Sequence, residues 1–89
     1  MTYEAEFLAT TGSYSLVRWQ GRKFPGLLVQ GDTLWTVKES LTEAAAELDT
    51  GNLEDATAAI HAAQEAIEDM LASYERMMSS AGVKLPYFK

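Results

Sequence analysis

Eighty-nine residues, 47% hydrophobic and 22% charged, with six glycines and two prolines, are the makings of one globular domain with no room for a second core. That composition excludes low complexity and intrinsic disorder, and no apolar run approaches the roughly 20 residues needed to span a bilayer. The net charge of −6 is uneven: residues 1–31 carry a slight positive excess, whereas residues 32–89 set eleven acids against Lys38, Arg76, Lys84 and Lys89.

An acidic layer repels phosphate backbones and attracts basic protein surfaces, so no nucleic-acid partner is expected. Cysteine is absent, and MTYEAEFLAT has neither the basic nor the apolar region of a signal peptide. The expected setting is the cytoplasm, without membrane association.

In chain order, Tyr3, Ala5, Phe7 and Ala9 alternate with polar residues, which predicts a strand over 3–9 with those four on one face. Thr10–Ser13 is a turn cluster. Tyr14–Trp19 predicts a second strand, joined to the first as an antiparallel hairpin, with the face taken by Trp19 left open. Phe24-Pro25-Gly26 fixes a turn in which Pro25 holds its own φ and Gly26 permits a positive one. A short third strand follows over 27–30, and Asp32 or Thr33 is placed to cap a helix.

That helix is predicted over 34–48, with Leu34, Val37, Leu41, Ala44, Ala45 and Leu48 on one apolar stripe. Gly51 suits its left-handed C-terminal position and Asn52 the N-cap of the next helix. The second helix is predicted over 53–81, where Leu53, Ile60, Ile67, Tyr74 and Ala81 fall seven apart, with Ala56, Ala63, Met70 and Met77 between them. At about 43 Å it outreaches so small a sheet, so part of its stripe must meet the first helix or another chain. The tail after Gly82 ends in Tyr87 and Phe88, aromatics expected to pack back or to meet a partner.

No constellation for catalysis emerges, and the chain is not expected to be an enzyme or to hold a cofactor. His61 is the sole histidine, so Glu54, Glu65 and Glu68 can offer it only carboxylates as co-ligands, and no metal is expected. Gly21, Gly26 and Gly31 bracket a strand and lack the Lys-Ser/Thr of a phosphate loop. Arg18, Trp19, Arg22 and Lys23 read as solvated residues at a hairpin end. Trp35 lies off the strict stripe, on a side shared with Lys38 and Glu39, and either packs on the long helix or forms a partner surface. Met77 and Met78, with Tyr74, Tyr87 and Phe88, make an adaptable apolar cluster that is satellite core or the seam of a dimer. The candidate partner-binding residues are therefore Trp35, Lys38, Glu39, Met78, Tyr87 and Phe88.

Phe24-Pro25-Gly26, a short strand, and Gly31-Asp32-Thr33-Leu34 opening a helix that ends in Ala44-Ala45-Ala46-Glu47-Leu48 resemble the core of HicB-type antitoxins. The resemblance covers about 35 of 89 residues and implies a partner that inhibits a toxin. The chain departs from that family where a second helix replaces a fourth strand, and where no DNA-binding segment is appended. Over its full length it also resembles a group of small uncharacterised bacterial proteins, which implies a bacterial β-β-β-α-α domain.

The expected architecture is α+β: a three-stranded antiparallel sheet followed by an antiparallel helical hairpin packed on one face. The expected function is non-catalytic protein binding, as an antitoxin-like or immunity-type inhibitor of a basic partner. The alternative is a homodimeric scaffold that pairs through the heptad of the second helix.

Overall fold

The computed structural model describes residues 2–89. Three strands, β1 (Ala5–Thr11), β2 (Tyr14–Trp19) and β3 (Gly26–Leu28), precede two helices, α1 (Gly31–Asp49) and α2 (Leu53–Ser80). The strands form one antiparallel sheet in the order β1-β2-β3. The chain is α+β, a three-stranded sheet followed by a helical hairpin. Its residues form two compact units, one of the sheet with residues 70–89 and the other of residues 30–69.

In the sheet unit, cross-strand partners share a face, so Ala9 lies with Leu16, and Phe7 with Val17 on the opposite side. The register shifts between Phe7 and Ala9, leaving Leu8 as the extra residue of a bulge. The unbroken alternation of Tyr3, Ala5, Phe7 and Ala9 therefore fails, because the bulge turns both Leu8 and Ala9 toward the core. That core is Leu16, Tyr74, Met77 and Met78, joined by Leu8, Ala9, Tyr14, Leu27, Val83 and Leu85. The last turns of α2 and the tail thus cover one face of the sheet.

Two contacts fix the turn before β3. The Tyr74 hydroxyl donates to the buried carbonyl of Pro25 at 2.8 Å, across 49 residues of chain. Gly26 is not in the positive-φ region, contrary to expectation. A Cβ there would stand 2.6 Å from the Trp19 ring, so glycine here serves the close approach of that ring rather than backbone freedom.

In the helical unit, α1 begins at Gly31, earlier than expected. Gln30 occupies the N-cap without a side-chain bond, and neither Asp32 nor Thr33 caps the helix. Asp32 instead sits inside the first turn, where its carboxylate accepts the Thr33 N–H at 2.8 Å and faces the positive end of the helix.

The turn between the helices is closed from both sides. Gly51, at φ 80°, donates to Leu48, while Asn52 donates to Glu47 at 2.8 Å, which is the double bond of a Schellman motif. The Asn52 side chain then accepts the Asp55 N–H at 3.2 Å and donates to the Asp55 carboxylate at 2.7 Å. One residue thereby ends α1 and caps α2. At the far end, Val83 and Gly82 repeat the motif by donating to Met78 and Ser79.

Two substitutions test these contacts. Tyr74→Phe leaves the Pro25 carbonyl buried without its donor and should lower unfolding free energy by about 1–2 kcal/mol in urea titration. Gly51→Ala forces a Cβ into the left-handed region and should cost about 1–2 kcal/mol by the same measurement.

Candidate interaction surface

Along α1, the line toward the neighbouring helix is Thr33, Val37, Ser40, Ala44 and Glu47, with Val37 and Ala44 buried and the others half-buried. On α2 the matching line is Ala56, Ala59 and Ala63, all buried, followed by the half-buried Ala66. The seam of the hairpin is therefore made almost wholly of small side chains. Small side chains bury little apolar area, at about 0.8 kcal/mol per CH2 group.

The large ones lie beside it. Leu34, Leu41 and Leu48 each follow a seam residue of α1 by one position, and Ile60 and Ile67 follow Ala59 and Ala66 on α2. One residue is a rotation of about 100°. Because the helices are antiparallel, the same rotation from the seam leads to the same side of the hairpin. Leu53 continues the α2 row one heptad earlier. These six side chains are 42 to 66% exposed.

This revises the expected stripes. Of the α1 set, only Val37 and Ala44 are buried, while Leu34, Leu41, Ala45 and Leu48 are exposed. On α2 the leading row of Leu53, Ile60 and Ile67 faces solvent, and the intermediate row of Ala56 and Ala63 is inside. Spacing identified both rows but carries no mark of which one turns inward.

A shallow apolar groove runs along α1 between Leu34, Val37, Leu41, Thr42 and Ala45, and Gly31, Leu34, Trp35 and Lys38 continue it. Trp35 thus stands at the end of the Leu row, 61% exposed, with the Lys38 ammonium 4.7 Å from its ring centroid. Lys38 also reaches the Glu39 carboxylate at 3.3 Å, an exposed pair of small energetic weight. The structure therefore brings Trp35, Lys38 and Glu39 together.

It does not add Met78 to them. Met78 is 0% exposed at the centre of the sheet unit, so it packs the core and cannot meet a partner. Tyr87 folds back, its ring 6.5 Å from that of Tyr74 and its hydroxyl donating to Glu75 at 2.9 Å. Lys89 reaches the same carboxylate at 2.9 Å. Phe88 alone of the tail aromatics stands fully in solvent.

The open face of the sheet presents Phe7, Trp19 and Leu28 around the buried Val17. Arg22 lies over the Trp19 ring at 5.6 Å, and the adjoining hollow mixes Glu4 and Glu6 with Arg18 and Arg22. Mixed signs give this end no consistent field. His61 is exposed, and among the described residues no group of three or more His, Asp or Glu could hold a metal ion. Among those residues no helix is long and apolar enough to cross a membrane.

Fold and surface together define a small α+β protein whose helical hairpin keeps its large apolar residues outside. A model of a family of unknown function, DUF6959, matches residues 1–87, and the chain belongs to that family. Neither curated proteins nor solved structures yield a match. Nothing in these comparisons supports the HicB-type likeness of the central segment.

The tail contact carries a pH signature. The hydrogen bond from Lys89, then that from Tyr87, hold the Glu75 carboxyl below its ordinary value, while burial and then Glu75 push the Tyr87 phenol up. A carboxyl lowered by folding stabilises the contact above its unfolded pKa, and the contribution is lost as pH falls through the folded value. Acidification below the usual glutamate range, about pH 4, should therefore free the tail, read as averaging of the Tyr87 ring resonances. Glu75→Gln should remove that transition.

Proposed function

We propose that this chain is a non-catalytic protein-binding module that acts through the apolar side of its helical hairpin. The observation that carries the reading is the pair of matched rows, Leu34-Leu41-Leu48 and Leu53-Ile60-Ile67, left in water beside a seam of alanines. Six such side chains make a patch on the order of 600 Å2, at the top of the range that monomers expose. Trp35 at its margin adds the residue type most enriched among binding hot spots.

The same rows bear on what kind of partner the module takes. An inhibitor of a basic toxin would combine apolar anchors with flanking acids. Here Glu39, Glu43, Asp55, Glu65 and Asp69 fall on the other side of the hairpin by helical rotation. The antitoxin-like or immunity-type role thus requires a partner that reaches round both sides.

The test uses the chain immobilised and exposed to extract of its source cells. The natural chain should retain protein in near-stoichiometric amount, as another species or as further copies of itself. Leu41→Glu with Ile60→Glu should abolish retention, whereas Glu43→Lys on the opposite side should not. Retention of nothing, or retention that ignores the row substitutions, overturns the reading.

A further inference from the structure

The surface just described has one occupant that its own pattern specifies, and the inference rests on that reading of the hairpin. We propose that the apolar side of the hairpin is covered by a second copy of this chain, so that two hairpins close a four-helix assembly around the Leu and Ile rows.

Register is the first ground. The rows on both helices step by seven residues, or about 10.5 Å. Counted outward from the turn, Leu48 stands level with Leu53, Leu41 with Ile60, and Leu34 with Ile67. Three apolar layers of equal height result, each with one side chain from each helix. Such a face is self-complementary: turned over by a two-fold axis, it meets the same ladder of layers at the same spacing. Sustained heptads of Leu and Ile with small residues between them are the sequence form of a bundle seam.

Charge is the second. The positions bordering the rows are mostly uncharged, with Thr42 and Ala45 on α1 and Thr57 and Gln64 on α2, and Lys38 contributes a cation. A protein of net charge −6 would repel its own copy through an acidic rim. Instead five of the acids, Glu39, Glu43, Asp55, Glu65 and Asp69, turn to the opposite side, where a two-fold partner does not approach. Asp49 and Glu68 stand about 160° from the seam, behind the border of the rows. A basic partner would find its counter-charges on the wrong side.

Area is the third. The six side chains of the two rows supply on the order of 600 Å2, and with their border they approach the roughly 800 Å2 per partner of a standard interface. The alanine seam explains why this cover matters. Two helices joined through Val37, Ala44, Ala56, Ala59 and Ala63 bury little apolar surface by themselves. The second copy supplies the layer that the hairpin lacks.

Sedimentation equilibrium of the natural chain, over a range of concentrations and at low and molar salt, tests this directly. The expected result is a species of twice the 9.8 kDa chain mass, retained at molar salt because its contacts are apolar. Leu41→Glu with Ile60→Glu should give monomers, and Glu43→Lys should stay dimeric. Should the charged variant lose its helical circular dichroism, Leu41→Ala with Ile60→Ala decides. Alanine keeps helix propensity, and the variant should weaken the dimer roughly 30- to 100-fold, each loss being counted on both copies.

Monomers at every concentration overturn the second-copy assignment, and they leave the binding surface standing if the same rows still retain another protein. A dimer indifferent to the alanine pair also overturns it, since the contact then lies elsewhere.

Discussion

The helical unit depends on where its alanines lie. Ala44, Ala56, Ala59 and Ala63 occupy the line along which α1 and α2 face each other, and a methyl group fills little space. With those positions taken, every large aliphatic residue of the hairpin must stand to one side. Inward Leu and Ile would have given a hairpin that satisfied its own hydrophobic demand. Outward Leu and Ile give one whose hydrophobic demand its own two helices leave unmet.

The sheet unit solves the same problem in the usual way. There the inward residues are large: Leu16 from β2, with Tyr74, Met77 and Met78 from the end of α2. Methionine suits the uneven surface left by the bulge at Leu8, because its unbranched chain adapts to irregular gaps. The Tyr74 hydroxyl, a polar group carried into this core, finds the Pro25 carbonyl, and burial raises its pKa above that of a free phenol. A single continuous helix thus presents alanines in its first half and bulky residues in its last turns. Its change of character along the axis matches the change of unit.

Element order, the hairpin of β1 and β2, the Gly51-Asn52 turn and the Gly82 stop were legible in the residues, since each rests on a local rule that nothing distant overrides. The phase of the heptads was not legible. Leu53-Ile60-Ile67 and Ala56-Ala63 have the same period, and an expectation that large residues go inward selects the wrong one. Phe7 and Ala9 show a related limit, because a one-residue bulge reverses a strand's faces without leaving a mark in composition. Gly26 is a third case. Its neighbour Trp19 is seven residues away in sequence, and the demand for glycine comes from that ring rather than from the turn. For Met78, pairing with Met77 and the tail aromatics is equally consistent with satellite core and with the seam of a dimer, and only its burial in the sheet unit decides for core. Trp35, left open between packing on the long helix and a partner surface, stands exposed beside Lys38, because its off-stripe position turns it away from the seam.

The double use of Asn52 has an evolutionary corollary. Because the backbone N–H of this residue finishes one helix and its side chain starts the next, the connection between them has no slack to absorb a change of length. A single inserted amino acid would swing one row of aliphatic side chains by about 100° and lift it by 1.5 Å relative to the other. The ladder of levels would be broken without any contact being mutated. Here the count of residues matters as much as their identity, so the turn tolerates an exchange of one side chain for another better than a change of length. Gains and losses of chain belong instead to looser ground, such as the polar stretch at Gln20–Lys23.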